Sequence, residues 1–199
     1  MALPEHSGPH PEPPADLAQR SLPVVALDRS WTRIYRCALD PLYFGRGASN
    51  RWDAPAGEFG VLYAGGDAHC AFIETLGQTT GNALVTPAAL GERCLGQVTV
   101  TRPLRLADLT GPGLVRIGAD ARLTTGAHAV ARRWSRALWE HPAAPDGIIF
   151  RARHDPSRIA VAIYDRAAAA VTATLGLSLG DPRQARLVAD ILNTYGFGL

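Results

Sequence analysis

The sequence predicts an α+β fold, a single domain with a mixed or antiparallel β core and flanking helices. Three observations predict it. Short runs rich in Val, Ile, Thr and aromatic residues recur along the chain, each bounded by Gly, Pro or Asp. Helical periodicity is confined to a few segments. The two kinds of segment do not alternate regularly, as a doubly wound parallel sheet would require. The chain has 199 residues, 47% of them hydrophobic, enough for one domain with a real core.

Residues 1–22, "MALPEHSGPHPEPPADLAQRSL", are rich in Pro, His and Glu. They read as a disordered tail or an arm laid on the surface. The folded domain is expected over 23–199. Strands are expected at "RIYRC" (33–37), "GVLYA" (60–64), "GQVTVTR" (96–102), "GIIFR" (147–151), "IAVAIYD" (159–165) and "AVTATLGLSL" (170–179). The third of these alternates cleanly, as a half-exposed strand should. Asp67 can cap a helix over 68–77, with Ala68, Ala71, Phe72 and Leu76 as its apolar positions. Residues 126–140 place Ala127, Val130, Ala131, Trp134 and Leu138 on one face. The last helix carries the best signals. Asp181 is its N-cap, Pro182 stands at N1 and Gln184 at N3, Leu187, Val188, Ile191 and Leu192 form its apolar face, and Gly196 ends it.

Composition excludes several classes. The net charge is +2, from 20 basic and 18 acidic side chains, too little for a broad nucleic-acid footprint or a polybasic membrane patch. The basic side chains are all arginine, which rules out Schiff-base and phosphate-loop lysine chemistry. Cys37, Cys70 and Cys94 are odd in number and widely spaced, so neither a disulfide framework nor a zinc site is expected. A reducing cytoplasm is the simplest compartment. No signal peptide is apparent, and no apolar stretch approaches the ~20 residues that span a bilayer. The sequence has no GxxxxGK[ST], GxGxxG, HExxH or GxSxG, and the six histidines are scattered without metal-ligand spacing. No metal is expected.

Four residues remain: Arg36, Arg51, Tyr63 and Glu74. Each has an ordinary structural reading. Arg36 reads as a strand-edge charge, Arg51 as a local partner of Asp53 or Trp52, and Tyr63 as half-buried core. Glu74 reads as a glutamate on the solvent edge of its helix. Yet Glu74 stands among Ala71, Phe72, Ile73 and Leu76, where a charge is costly to bury unless it is paired or used.

Taken together, "YRCALDPLYFG", "NRWDAP", "EFGVLYAGGDAHCAFIETL", "PDGIIFRARHDPSRIAVAIYDR" and "ILNTYGFGL" resemble, in that order, the RES-domain family of bacterial toxins, which are usually encoded with an Xre-like antitoxin. The likeness covers nearly all of the chain after the tail. It implies an ADP-ribosyltransferase-like fold with NAD⁺ bound as substrate in a cleft between sheet halves, and an Xre-like antitoxin as partner. It implies neither a nucleic acid nor a membrane partner, and it leaves room for an oligomer. By position it assigns Arg36 and Glu74 as catalytic, and Arg36, Arg51, Tyr63, Glu74 and position Ala152 as binding NAD⁺.

The residue types suit that chemistry. Breaking the nicotinamide–ribose bond develops positive charge on the sugar, which a carboxylate such as Glu74 stabilises. A guanidinium fork, at Arg36 and Arg51, matches pyrophosphate oxygens. An aromatic face, at Tyr63, suits a stacked base. One departure is visible. The family serine falls on Ala152 in "GIIFRARHD", and Ser157 stands five residues on. Three readings therefore stay open: an NAD⁺-degrading enzyme acting by hydrolysis or phosphorolysis, a weak or silent nucleotide-binding module, and an ADP-ribosyltransferase that modifies a protein.

Overall fold

The computed structural model describes residues 10–78, 81 and 83–199. Its strands are β1 (Val24–Leu27), β2 (Trp31–Arg36), β3 (Val61–Gly65), β4 (Arg93–Val100), β5 (Leu104–Leu109), β6 (Gly147–Arg151), β7 (Ile159–Tyr164) and β8 (Val171–Ser178). Its α-helices are α1 (Ala68–Leu76), α2 (Pro87–Gly91), α3 (Pro112–Ile117), α4 (Arg122–Thr125), α5 (His128–Trp139) and α6 (Ala185–Tyr195). The strands form one sheet in the order β1-β5-β6-β7-β3-β2-β4-β8. All neighbours are antiparallel except β5 and β6, whose connection runs through α3, α4 and α5. This is the mixed α+β architecture that the irregular order of segments predicts.

The sheet is nearly parted in the middle. β2 pairs with β4 from Trp31 to Arg36, and β3 pairs with β7 from Val61 to Gly65. Between β2 and β3 the register holds only at Thr32 and Gly65. Beyond that rung the strands splay, and each leaves backbone groups that need other partners. Arg33 bridges the gap, its Nη1 donating to the carbonyl of Tyr63 at 3.2 Å and its Nη2 to that of Tyr43 at 3.1 Å.

Two layers of helix and loop cover the sheet. On one face α5 buries Val130, Ala131, Trp134 and Leu138 against Val61, Ile148, Phe150, Ala162 and Tyr164. On the same side α1 and α6 pack Phe72, Val188, Ile191 and Leu192 around Ile34. On the other face Trp31, Leu62, Leu104, Leu106, Val161 and Ile163 lie under Leu42, Phe44 and the 3₁₀ segment Asp165–Ala170.

The helix signals hold locally. The Asp67 carboxylate accepts from the Cys70 N–H at 2.8 Å and starts α1. Gly65 is required just before it, because a Cβ there would lie 2.6 Å from the Ala71 nitrogen. The Asp181 side chain caps Pro182–Gln184 through the Arg183 N–H, but that turn is 3₁₀ and α6 proper begins at Ala185. Gly196 ends α6 in the left-handed conformation, at φ 68°.

Two expectations change. Cys37 and Cys94 form a disulfide, contrary to the reading of the cysteines as unpaired; only Cys70 is free. Sequence spacing hides this pairing, which arises because β2 and β4 are neighbours and place Cys37 beside Cys94. β1 and β5 were not expected as strands. Of residues 1–22, residues 1–9 lie outside the described residues, and 10–22 run as a strap over α3, α4 and α5. Leu17 is buried in the main core, the Trp134 indole donates to the Pro11 carbonyl at 2.9 Å, and His10 Nε2 accepts from the Asp120 N–H at 3.1 Å.

Candidate active site

The parting of β2 and β3 opens into a cavity of about 350 Å³, within the range of small-molecule sites. Its wall is built by β2 and β3, by one face of α1, by the loop through Arg51, by the start of α5 and by the turn after β6.

Glu74 reaches this wall because of how α1 is set. The tight Gly65-Gly66 turn lays the helix directly on the sheet, where Cys70 is fully buried and its thiol contacts the Ile159 carbonyl. Glu74 is one turn further along the same face. Its carboxylate accepts from the His154 N–H at 3.2 Å, and its backbone carbonyl accepts from the Gln78 side chain at 2.7 Å. Glu74 therefore faces the cavity, not bulk solvent. Cys70 offers no nucleophile, since burial pushes its thiol up to about 12.

Arg51 is placed by a folded loop. The Asp53 carboxylate accepts from the Ser49 and Asn50 N–H groups at 3.0 and 2.8 Å and from the Asn50 side chain at 3.2 Å. The Tyr63 hydroxyl donates to the other Asp53 oxygen at 2.9 Å and accepts from the Trp52 N–H at 2.8 Å. Trp52 is fully buried, an anchor of about 2–3 kcal/mol. The Arg51 guanidinium passes inward, 7% exposed, and Nη1 donates to the carbonyls of Gly126 at 2.8 Å and Leu123 at 3.3 Å. It pairs with neither Asp53 nor Trp52. Its Nη2 is buried and has no partner among the described residues.

The charge of the cavity is mainly positive. Arg51, Arg153 and Arg33 line it with His128, and among the described residues Glu74 is the one carboxylate on the wall. Burial lowers Arg33 and Arg51 to about 10, with Arg153 adding to the shift at Arg51, so both stay charged at neutral pH. Burial, with Arg51, Arg153 and Arg132 adding to it, also lowers His128. Such a site favours an anionic ligand with a sugar or another group that Glu74 can meet.

Of the sequence-derived candidates, Arg51, Tyr63 and Glu74 come together on the wall. Tyr63 does so with its hydroxyl committed to the loop, bracing the segment that carries Arg51. Arg36 is not brought in. It sits exposed at the end of β2, opposite Arg93, and Arg33 takes the place at the cavity. Ala152 is not on the wall either. It is 1% exposed in the core, its N–H bonded to the Arg158 carbonyl at 3.0 Å, and the next two residues, Arg153 and His154, line the cavity. Arg33, His128 and Arg153 escaped the sequence reading. Only His128, at the head of an amphipathic helix, carried a usable signal.

Residues 29–185 match the model of the RES domain family. The chain belongs to the RES domain family. "Probable toxin y4kH" of Sinorhizobium fredii (strain NBRC 101917 / NGR234) is 40% identical over 82 residues, which are 40% of this chain and 63% of that protein. The chain thus matches less than two thirds of that relative's length. The crystal structure of the M. tuberculosis MbcT–MbcA toxin–antitoxin complex contains a chain that aligns with this RES domain at a TM-score of 0.61 and 15% identity, over 86% of this chain and 98% of the other. That likeness is one of fold. Among the described residues of this RES domain no group of His, Cys, Asp and Glu could hold a metal ion, and no helix is long and apolar enough to cross a membrane.

Proposed function

We propose that this RES domain is an NAD⁺-degrading toxin that breaks the nicotinamide–ribose bond and is held in check by an antitoxin protein. The observation that carries the reading is the meeting of Glu74 with Arg51 in one cavity, in a chain of this family. The y4kH relative is named a toxin, and the structural neighbour is a toxin bound to its antitoxin.

The chemistry asks little beyond these groups. The C1′–N bond breaks with its electron pair passing to the nicotinamide ring, which leaves neutral. The ribose then carries positive charge, and the Glu74 carboxylate stabilises it and holds the sugar hydroxyls. Arg51 Nη2, buried and without a partner, meets a pyrophosphate oxygen. Arg33 keeps the splayed strands apart at a fixed distance. Water or phosphate then takes C1′. Transfer to a protein side chain would use the same first half-reaction.

Ala152 bears on the silent-module reading. Because it is buried off the wall, its missing hydroxyl removes no group from the cavity. That supports an active enzyme. The compartment follows from the substrate: the bacterial cytoplasm holds the NAD⁺ pool. Cysteine usage no longer supports it, given the Cys37–Cys94 pair.

The test is expression without an antitoxin in a bacterial host, with cellular NAD⁺ followed over time. The expected result is growth arrest preceded by a fall in NAD⁺. Growth arrest at constant NAD⁺, with labelled NAD⁺ marking a protein band in lysate, would replace NAD⁺ loss with protein modification. Normal growth at full expression and constant NAD⁺ would overturn both.

A further inference from the structure

His128 is the first residue of α5, and it lines the cavity without belonging to any motif of the sequence. Its ring is fixed by one contact. Nδ1 lies 3.2 Å from the Ser49 carbonyl, an acceptor only, so Nδ1 carries the proton. Nε2 has no partner among the described residues, and the ring is half-buried.

Three further features surround it. α5 is twelve residues long, and no side chain caps its N-terminus. The leading N–H groups of such a helix favour an anion. Beside it Arg51, 93% buried by its 7% exposure, holds an Nη2 that nothing in the described residues satisfies. Arg51 is bonded to Gly126, two residues before the helix, so guanidinium and helix end are neighbours. Arg153 lines the same cavity and makes no ion pair among the described residues.

We propose that His128, the N-terminus of α5, Arg51 and Arg153 form a phosphate subsite in which His128 binds the anion as imidazolium, so that a phosphate-bearing ligand enters together with a proton. The identity of that ligand as a dinucleotide rests on the reading above; the subsite itself does not.

The charge balance explains the coupling. The groups facing His128 are Arg51 from the preceding loop, Arg132 from α5, Arg153 from the turn after β6 and Glu74 across the cavity. In the empty cavity burial and the three arginines hold the ring neutral below its ordinary 6.5. The anionic pyrophosphate offsets that excess positive field with negative charge, and Nε2 gains a proton and a charge-assisted bond. The group's proton affinity is therefore higher in the complex than in the free protein. Binding must take up a proton near neutral pH and weaken as pH rises from 6 to 8.

Calorimetric titration of the full chain tests this, with inorganic pyrophosphate and with ADP-ribose as probes, each in buffers of low and high ionisation enthalpy at pH 7.5. The expected result is binding of both probes with an enthalpy that depends on the buffer, in the sense of proton uptake. His128→Gln keeps a donor for the Ser49 carbonyl; it should lose the buffer dependence and about tenfold in affinity. Arg153→Gln, at an exposed position, should weaken both probes while proton uptake persists. Binding with no buffer dependence, or His128→Gln binding like the wild type, would overturn the subsite while leaving the NAD⁺ reading intact. Pyrophosphate bound with proton uptake, but no binding of ADP-ribose, would keep the subsite and remove the dinucleotide. Failure of both probes to bind would overturn the subsite.

Discussion

Arg33 and Arg36 stand three residues apart on β2, and only the first reaches the cavity. Strand alternation puts them on opposite faces of β2 but does not say which one reaches the cavity. The difference arises from depth: β2 and β3 part just beyond Thr32, so the arginine nearest the rung fills the gap and the one at the strand end meets solvent. Glu74, Arg51 and Tyr63 were legible as a set because each stands in a motif whose local structure is self-contained, a capped helix, a loop organised by Asp53 and a strand end. The expected outcome for Arg36→Ala is nicotinamide release within about twofold of the wild type, as for a surface substitution away from the chemistry. A large loss would return Arg36 to the site. Ala152→Ser separates family likeness from geometry in the same way. Its hydroxyl would be buried in the core, so the structure predicts no gain in turnover and a loss of about 1–3 kcal/mol in stability, read from urea unfolding.

At the scale of elements, the legible ones carry their own signals. The caps at Asp67 and Asp181 and the apolar stripe of α5 are local, and each appears where the periodicity places it. β1 has no such signal. It is a four-residue edge strand after Pro23 and becomes a strand only by pairing with β5. β5 itself alternates Leu104, Arg105 and Leu106, too briefly to stand out. The disulfide and the strap are long-range too. The strap matters because its contacts lead toward the site: His10 holds Asp120 at the entry to α4, and Leu123 and Gly126, in and after α4, hold Arg51. Leu17 is its main apolar anchor, 3% exposed. Leu17→Ala should cost about 2–4 kcal/mol, measured as a shift of the urea midpoint at constant m. No shift would mean that the strap is not docked in solution.

Over the whole molecule, one sheet serves as two half-sheets joined at a single rung, and the candidate cavity is the flaw between them. No single strand encodes that feature; it follows from which strands become neighbours. Charge pairing on the surface contributes modestly to the acid sensitivity of the fold. A hydrogen bond from Arg122 lowers Asp120 to about 2, and one from Arg183 lowers Asp181 to about 2, against an ordinary 3.8. Each carboxylate binds its proton less readily when folded than when unfolded, so this stability is present above about pH 4 and is lost as pH falls through about 2. The melting temperature should therefore be flat with respect to these groups from pH 5 to 7 and fall below pH 4, with salt reducing the effect.

On the function proposed above, Glu74 acts on the ribose of NAD⁺ bound in this cavity. The measurement is the initial rate of nicotinamide release from NAD⁺ by the purified protein, followed by chromatography, for wild type and Glu74→Gln side by side. Glutamine keeps the size of the side chain and can still accept from the His154 N–H, so the fold is preserved while the charge is removed. The expected result is release by the wild type and a loss of at least about 10²-fold in the variant, the scale of losing one electrostatic stabiliser of a transition state. Equal rates in the two proteins would contradict it.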